Sequence, residues 1–356
     1  MPSLRVFTPT EWARAFPDPS IDFFRKFLIQ GDSWFSIGAL PPAALTTNMP
    51  RHMAFEFSSC AVNFAQPGAE LAQVVNVAPT SQWVFNPAFE AALHGRLCER
   101  WDAVLLSLGG NDLIRALNTP PNGDDGQRVE PKKRLLLLPD EWGAQADVSR
   151  FVSDEGWLTF ETYLDGVFDV LVGWRDANDG KSRFAPLVIH SYCRVQPRLA
   201  GTGGVPGHWL AGPWLASALQ TYAIPEADGT WHALAVHLID RLFGLLQKLC
   251  GRYPHVFLAD LRNLLQDAAA DATGRDGDWV NEIHPTDDGY ERLAPEYCAK
   301  VTEALQAMAM PQPMAAAGRR RRGAGVGTPL PAAPAVPAIS ANLRRRSLNG
   351  AARRTM

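Results

Sequence analysis

Short apolar runs without polar alternation recur along this chain, and segments with helical spacing of apolar residues separate them. Strands that are apolar on both faces are typical of a parallel sheet covered by helices on each side. The pattern therefore predicts an α/β fold with a mainly parallel sheet. The predicted strands are Lys26–Gln30, Ser59–Ala65, Ala103–Leu108, Leu187–Tyr192 and Val256–Ala259, and the predicted helices are Ala69–Val77, Pro87–Arg100, Trp157–Asp176 and His237–Cys250.

Two long insertions interrupt this alternation. Asn118–Ala146 is polar and contains a run rich in proline and glycine, so we expect a loop there. Gln196–Trp231 combines glycines with tryptophans. Long loops of this kind in compact domains are often lids or binding loops, and a surface segment packed by its own aromatic residues is the alternative.

The composition changes near Pro311. Residues 311–356 contain nine arginines and no acidic residue, and they are otherwise rich in alanine, proline and glycine. Because so few large apolar residues occur there, we predict a folded domain over residues 1–310 and a disordered tail over residues 311–356. The whole chain has a net charge of −3, and the tail contributes +9, so the first 310 residues carry a net charge of −12. We therefore expect the folded domain to bind nucleic acid poorly. The partner of the tail stays open between anionic lipid, nucleic acid, a secretion partner and the acidic domain itself.

The termini and the cysteines limit the cellular context. No apolar run is long enough for a transmembrane helix, and the N-terminus lacks the basic and apolar regions of a secretory signal. The five cysteines are scattered and none forms a CxxC pair, which predicts neither a zinc site nor a disulfide framework. We expect a cytoplasmic protein without a metal or cofactor, and export without a signal peptide stays open.

Residues suited to nucleophilic catalysis follow the predicted strands. Ser33 lies just after the first strand, Gly68 after the second and Asn111 after the third, whereas His284 lies near the end of the folded part. The carboxyl ends of parallel strands meet at one edge of a sheet, so Ser33, Gly68, Gly110 and Asn111 can gather there. A serine hydroxyl needs a base, which predicts that Ser33 attacks and that His284 takes its proton. The oxyanion would be bound by the backbone N–H groups of Ser33 and Gly68 and by the Asn111 side chain.

Four segments of the chain resemble the motifs of the GDSL/SGNH hydrolase family and occur in the same order as in that family. They are Gly31-Asp32-Ser33, Asn63 to Gly68, Gly109-Gly110-Asn111-Asp112 and Asn281-Glu282-Ile283-His284. The resemblance implies a three-layer α/β/α sandwich with a flavodoxin-like sheet of five strands, and a serine esterase that forms an acyl-enzyme. The substrate would be an ester of a small molecule, a lipid or a carbohydrate. Acyl transfer to an alcohol is the nearest alternative, and a catalytically weak binding or delivered protein that uses the basic tail is another.

Asn281 departs from the resemblance, because that family has an aspartate there to orient the histidine. An amide oxygen can accept a hydrogen bond from the histidine and hold the useful tautomer, but it brings no negative charge. Three explanations stay open. Another acid, Asp278 or Glu282, takes over the role; a Ser–His pair oriented by Asn281 or by a backbone carbonyl suffices; or the enzyme is weak or inactive. We predict that Asn281→Asp leaves the activity equal or raises it.

The remaining polar residues near the motifs are expected to support the structure. Asp32 and Asp112 are predicted to stabilise turns, because aspartate side chains bond nearby backbone N–H groups. Thr286–Asp288 predicts the start of a helix that would fix the loop before it. His190 lies within a predicted strand, and we expect it to be structural. Trp34 either walls an acyl pocket or belongs to the core.

Overall fold

Six parallel strands form one sheet in the computed structural model, which describes residues 1–14, 19–36, 47–74, 87–95, 98–202 and 212–309. The order across the sheet is β1-β3-β2-β4-β5-β6. The strands are β1 Arg5–Phe7, β2 Arg25–Gly31, β3 Ser59–Asn63, β4 Ala103–Ser107, β5 Leu187–His190 and β6 Val256–Ala259.

Helices connect the strands and cover the sheet. Over the described ranges these are α1 Pro9–Arg14, α2 Met49–His52, α3 Leu71–Val74, α4 Pro87–Leu93, α5 Gly110–Leu117, α6 Asp154–Arg175, α7 Leu215–Thr221, α8 Thr230–Arg252 and α9 Asp287–Ala309. Short 3₁₀ turns occur at Pro19–Asp22, Pro131–Lys133, Pro139–Glu141 and Val148–Phe151.

The sheet is covered on both faces. Every residue of the central strand β4 is buried, which requires helices on each side of it because alternate side chains point to opposite faces. Helix α9 packs against β4, β5 and β6, and α8 contacts β6 and α6. The predicted α/β fold with a parallel sheet in a three-layer arrangement is confirmed.

The predicted number of five strands is wrong, because β1 adds a sixth strand at the edge of the sheet. It has three residues, pairs only with β3 among the described strands, and leaves Arg5 exposed. This short edge strand has no continuous apolar run, so the pattern that predicted the other five strands could not reveal it.

The long predicted helices occur, with shifted ends. The prediction for Trp157–Asp176 corresponds to α6, and α8 extends the predicted His237–Cys250 helix at both ends. Helix α4 is shorter than predicted, since residues 98–100 are not helical. The predicted loop Gln196–Trp231 contains α7 and the first residues of α8, and its residues 203–211 lie outside the described part.

Contacts within the chain group Met1–Pro311 into one compact unit. The predicted tail over residues 311–356 lies outside the described residues, so its disorder stays a prediction. None of the helices in the described ranges is both long enough and apolar enough to cross a membrane.

The carboxyl ends of the strands form the edge where the motif residues lie. Gly31 ends β2 and pairs with Ser107, which ends β4. A Cβ at Gly31 would lie 2.7 Å from the Ser107 carbonyl oxygen, and its φ of +157° is one that other residues rarely adopt. Glycine at this position therefore lets the two strand ends approach closely, which brings the turn after β2 next to the turn after β4.

Candidate active site

Ser33 lies in the turn directly after β2 and contacts His284. Its Oγ is 2.8 Å from His284 Nε2, although 251 residues separate the two in the chain. Both side chains are buried, with 8% of Ser33 and 5% of His284 exposed. The structure thus brings together the predicted nucleophile and the predicted base within hydrogen-bond distance.

Asn281 orients the His284 ring from the other side. Its Oδ1 lies 3.0 Å from His284 Nδ1 and also accepts hydrogen bonds from the backbone N–H groups of Ile283, at 3.1 Å, and of His284, at 2.9 Å. The two backbone donors fix which end of the amide faces the ring. If the amide were flipped, its NH₂ group would face these donors, and the hydrogen bonds would be lost.

This arrangement determines the tautomer of His284. Since the fixed Asn281 oxygen can only accept, His284 Nδ1 must carry the proton and donate it. Nε2 then has a lone pair directed at the hydroxyl of Ser33. The uncharged Asn281 side chain therefore provides the orientation that a general base needs, without an adjacent carboxylate.

Burial keeps this base neutral. Desolvation lowers the pKa of His284 to about 3, because the imidazolium ion would lose its hydration in this position. At neutral pH the ring is therefore a free base that can accept a proton from Ser33.

Trp34 links the turn of the nucleophile to the loop of the base. Its indole N–H donates to the backbone carbonyl of Ile283, at 3.1 Å. The indole is buried and stacks on the ring of His190, with the ring centroids 5.5 Å apart. Trp34 thus belongs to the core and also borders the cavity beside Ser33.

His190 is structural in its surroundings. It is fully buried, and its Nδ1 lies 2.8 Å from the Ser191 carbonyl oxygen. Desolvation lowers the pKa of His190 to about 4, so the ring is neutral.

Asp32 supports the turn that carries Ser33. One carboxylate oxygen accepts from the backbone N–H of Trp34, at 3.0 Å, and from the hydroxyl of Ser107, at 2.7 Å. The other oxygen accepts from the hydroxyl of Tyr192. Desolvation raises the pKa of Asp32 to about 6. These contacts place Asp32 in the turn-stabilising position that the sequence predicted.

Two segments that carry predicted oxyanion donors, the loop that leads to Gly68 and the start of α5, follow strands that pair with β2. The backbone N–H of Gln66 donates to the carbonyl of Gly31, at 2.9 Å, which attaches the loop before Gly68 to the end of β2. Asn111, near the start of α5, donates from its side chain to the Ala69 carbonyl, at 3.2 Å, and borders the same cavity as Ser33. An NH₂ group has two hydrogens, so Asn111 can hold this loop and still offer a second donor.

Asp112 connects three helices. Both of its carboxylate oxygens lie 3.1 Å from the Leu71 backbone nitrogen, and one also accepts from the hydroxyl of Tyr163, at 2.8 Å. Desolvation raises the pKa of this carboxyl to about 7. Asp112 thus positions α5, and with it Asn111, relative to α3 and α6.

Asp278 and Glu282, which the sequence left open as partners of the base beside Asn281, contact other groups in the structure. Asp278 forms an ion pair with Arg292, at 2.7 Å, and accepts from the backbone N–H of Gln266. Glu282 is buried and accepts from the backbone N–H of Arg198 and from three N–H groups at the start of α7: Trp214, Leu215 and Ala216. Both acids accept hydrogen bonds from backbone N–H groups, while Asn281 contacts the ring of His284.

Two residues of the site carried no signal in the sequence. Arg198 is buried and donates to the backbone carbonyl of Asn281, at 2.9 Å, and to that of Ala272, at 2.8 Å. Trp214 packs edge-on against His284, with the ring centroids 5.3 Å apart. Both lie in the segment predicted as a lid or binding loop, where spacing does not distinguish one residue from another. Tyr192 ends a predicted strand at the correct edge, a position that could have marked it.

Two cavities meet at Asn111. A small cavity of about 50 Å³ opens beside Ser33, and a larger cleft of about 620 Å³ is lined by Trp214 and by the ion pair of Glu70 with Arg115. In the described ranges, no group of three or more His, Cys, Asp or Glu side chains could hold a metal ion. The side chains described above can perform proton transfer and nucleophilic attack.

Comparisons with known proteins gave structural likenesses only. No protein-family model matches this chain, and no curated protein matches it. Among solved structures, an aryl esterase from M. smegmatis is 14% identical, with 79% of this chain and 99% of that chain covered and a TM-score of 0.39. A carbohydrate acetylesterase from Sinorhizobium meliloti is 13% identical, with 78% and 99% covered and a TM-score of 0.39.

A further likeness is to an acetylxylan esterase from Geobacillus stearothermophilus. It is 14% identical, the match covers 78% of this chain and 94% of that chain, and the TM-score is 0.38. At these identities and scores, the likenesses carry no inference about the activity or the substrate of this chain.

Proposed function

We propose that the protein hydrolyses carboxylic esters through an acyl-enzyme on Ser33. The observation that carries the proposal is the hydrogen-bonded series Ser33 Oγ, His284 and Asn281 Oδ1, in which two backbone donors fix the amide of Asn281 and the amide oxygen fixes the tautomer of the base. The resemblance of four motifs to those of the GDSL/SGNH hydrolase family supports the same chemistry.

In the first half of the reaction, Ser33 Oγ attacks the ester carbonyl carbon while His284 Nε2 takes the hydroxyl proton. The carbonyl oxygen becomes an oxyanion, which the backbone N–H groups of Ser33 and Gly68 and the second amide hydrogen of Asn111 would bind. The bond between the carbonyl carbon and the alcohol oxygen then breaks. His284 returns its proton to the departing alcohol, and an acyl group remains on Ser33.

In the second half, water takes the place of the alcohol. His284 Nε2 accepts a proton from the water as its oxygen attacks the acyl carbon, and the same oxyanion donors act again. The bond to Ser33 Oγ breaks, the serine oxygen regains its proton from His284, and the carboxylic acid leaves.

The uncharged Asn281 lowers the rate less than an aspartate-to-asparagine change does in a serine protease. In that case the loss of about 10⁴ in kcat arises with the wrong histidine tautomer. Here the correct tautomer is held by Asn281 Oδ1, so the missing contribution is only the attraction between a carboxylate and the imidazolium ion.

Hydrolysis of p-nitrophenyl acetate and labelling by a fluorophosphonate probe test the proposal, using Ser33→Ala and a control, Ser58→Ala. Ser58 is an exposed serine before β3, at the opposite edge of the sheet. We expect Ser33→Ala to lose labelling and at least about 10³-fold in kcat, and the control to retain both. Adding an acceptor alcohol and looking for a new ester separates hydrolysis from acyl transfer. Wild-type protein that neither turns over nor labels, or activity that survives in Ser33→Ala, would overturn the proposal.

A further inference from the structure

The cavity beside Ser33 is lined by two polar residues of the candidate site and by mostly apolar side chains. Ser33 and Asn111 are the two polar residues, and the other lining residues come from α5, the chain after β5, α7 and α8, among other segments. Its volume is about 50 Å³. Most of the described residues that line it are apolar: Trp34, Leu113, Ile114, Leu117, Val195, Leu215, Ile239 and Ile283, beside Tyr192 and Cys193.

Apart from Ser33 and Asn111, the polar side chains among the described residues that border this cavity already have partners. The carboxylate of Asp32 accepts from Ser107, Trp34 and Tyr192, and the thiol of Cys193 donates to the carbonyl of Leu261, at 2.9 Å. What the cavity offers to a ligand is therefore apolar surface, which favours a hydrocarbon group over a polar one.

The larger cleft differs in size and polarity. Its volume is about 620 Å³, and its described lining includes the ion pair of Glu70 with Arg115, 2.8 Å apart, and the side chain of Asn118. Trp214 lines this cleft and packs against His284, so the cleft lies on the side of the base. The departing alcohol must lie on that side, because His284 gives it a proton.

We propose that the apolar cavity receives the acyl chain and that the cleft receives the alcohol, so that the preferred substrates are short-chain acyl esters of larger, polar alcohols. The cavity, at about 50 Å³, has less than a tenth of the volume of the cleft, at about 620 Å³, so it admits a smaller group than the cleft does. We therefore expect short acyl chains to react in preference to long ones. This inference rests on the proposed function, since it assigns the two sides of the ester bond at Ser33.

The test compares kcat/KM for p-nitrophenyl acetate, butyrate and octanoate in the wild-type protein and in Ile239→Ala. The ratio of the kcat/KM values of two substrates, measured in one preparation, does not depend on the fraction of the protein that is active. We expect the wild type to prefer butyrate over octanoate by at least about tenfold, because one methylene in an apolar pocket changes binding by about 10-fold or more. Ile239→Ala deepens the cavity and should raise the octanoate-to-acetate ratio by at least about fivefold.

Two matched variants control this comparison. Leu234→Ala truncates another buried residue of α8 that does not border the cavity, and Ser217→Phe changes an exposed residue of the cleft. Both should leave the octanoate-to-acetate ratio within about twofold of wild type, since one methylene step in the cavity is worth more than that. If Ile239→Ala does not fold, Val195→Leu narrows the same cavity and should lower the butyrate-to-acetate ratio instead.

The failure of this inference differs from the failure of the proposed function. In one outcome, the protein hydrolyses esters and labels at Ser33 while the kcat/KM ratios between acyl chain lengths stay the same in Ile239→Ala and Val195→Leu. That result overturns the assignment of the cavity but leaves the proposed function standing. A wild type that prefers octanoate overturns it as well. Absence of both hydrolysis and labelling in the wild type overturns the proposed function, and with it this assignment.

Discussion

The amide oxygen of Asn281 lies 3.0 Å from Nδ1 of His284 and accepts two backbone hydrogen bonds from the same loop. A neutral side chain thereby holds the base in the tautomer that catalysis requires. Nδ2 of Asn281 is buried and has no partner among the described residues, which leaves one donor unsatisfied. This relationship makes position 281 the most informative one to change.

Asn281→Asp should leave kcat/KM at pH 8 equal or raise it. A carboxylate can accept the same three hydrogen bonds, adds a charge that stabilises the imidazolium ion, and removes the unsatisfied Nδ2 donor. Steady-state kinetics with a p-nitrophenyl ester measures this effect. A large loss would mean that the amide has a role beyond accepting these hydrogen bonds.

Asn281→Leu has nearly the same volume but offers no acceptor. The ring of His284 would lose its orienting partner, and two backbone N–H groups would lose theirs. We expect kcat to fall by about 10²- to 10⁴-fold, while thermal unfolding reports whether the variant still folds. Folded protein with activity near that of the wild type would show that Asn281 does not orient the base.

The activity should persist into acid. Because burial lowers the pKa of His284 to about 3, the ring stays neutral and basic as the pH falls, and activity is lost only when the pH approaches that value. A plot of kcat/KM against pH, with circular dichroism at each pH to monitor folding, should be flat down to about pH 4. An acid limb centred near 6.5, the ordinary value for histidine, would contradict the prediction.

The same plot for Asn281→Asp should show its acid limb at higher pH. A negative charge beside His284 favours the imidazolium ion and so raises the pKa of the ring. The direction of this displacement separates an electrostatic effect from a purely structural one, which would lower the rate without moving the limb.

Gly110→Ala should impair the site through the position of Asn111. A Cβ at Gly110 would lie 2.5 Å from the ring of Tyr192, so the start of α5 would have to move. We expect kcat to fall at least about tenfold, because small displacements of catalytic groups have large effects on rate. Gly166→Ala is the control, since no atom lies within 4 Å of its added Cβ. In the interior of α6 it should raise the free energy of unfolding by about 0.5–1 kcal/mol and leave kcat unchanged.

Asp112 should make the stability depend on pH. Desolvation raises the pKa of its carboxyl to about 7 in the folded protein, whereas the unfolded chain has the ordinary value of 3.8. As the pH rises from about 4 to 7, the unfolded state releases this proton first, so the carboxyl lowers the free energy of unfolding by up to about 4 kcal/mol.

Urea unfolding of wild type and Asp112→Asn at about pH 4.5 and pH 8 measures this contribution. An asparagine cannot ionise, so the variant should gain stability relative to wild type at the higher pH. Asp271→Asn, which changes an exposed residue, is the control. Its free energy of unfolding should differ from that of the wild type by nearly the same amount at both pH values. A difference for Asp112→Asn that does not change with pH would contradict the prediction.

Local patterns in the chain were enough to predict five of the six strands, the long helices and the edge of the sheet at which Ser33 and Asn111 lie. Apolar runs and helical spacing reflect burial within one element, and parallel strands necessarily share their carboxyl edge. The short edge strand β1 escaped because three partly exposed residues carry no such pattern.

The partners of individual polar side chains were decided by the tertiary structure. Asp32 meets Tyr192, 160 residues away, and Arg198 reaches the carbonyl of Asn281, 83 residues away. Spacing along a chain says nothing about such pairs, because they depend on how distant elements pack against each other. For the same reason, residue types alone left Asn281 and Glu282 open as alternatives, and only the fold shows the amide on the histidine and the carboxylate at the start of α7.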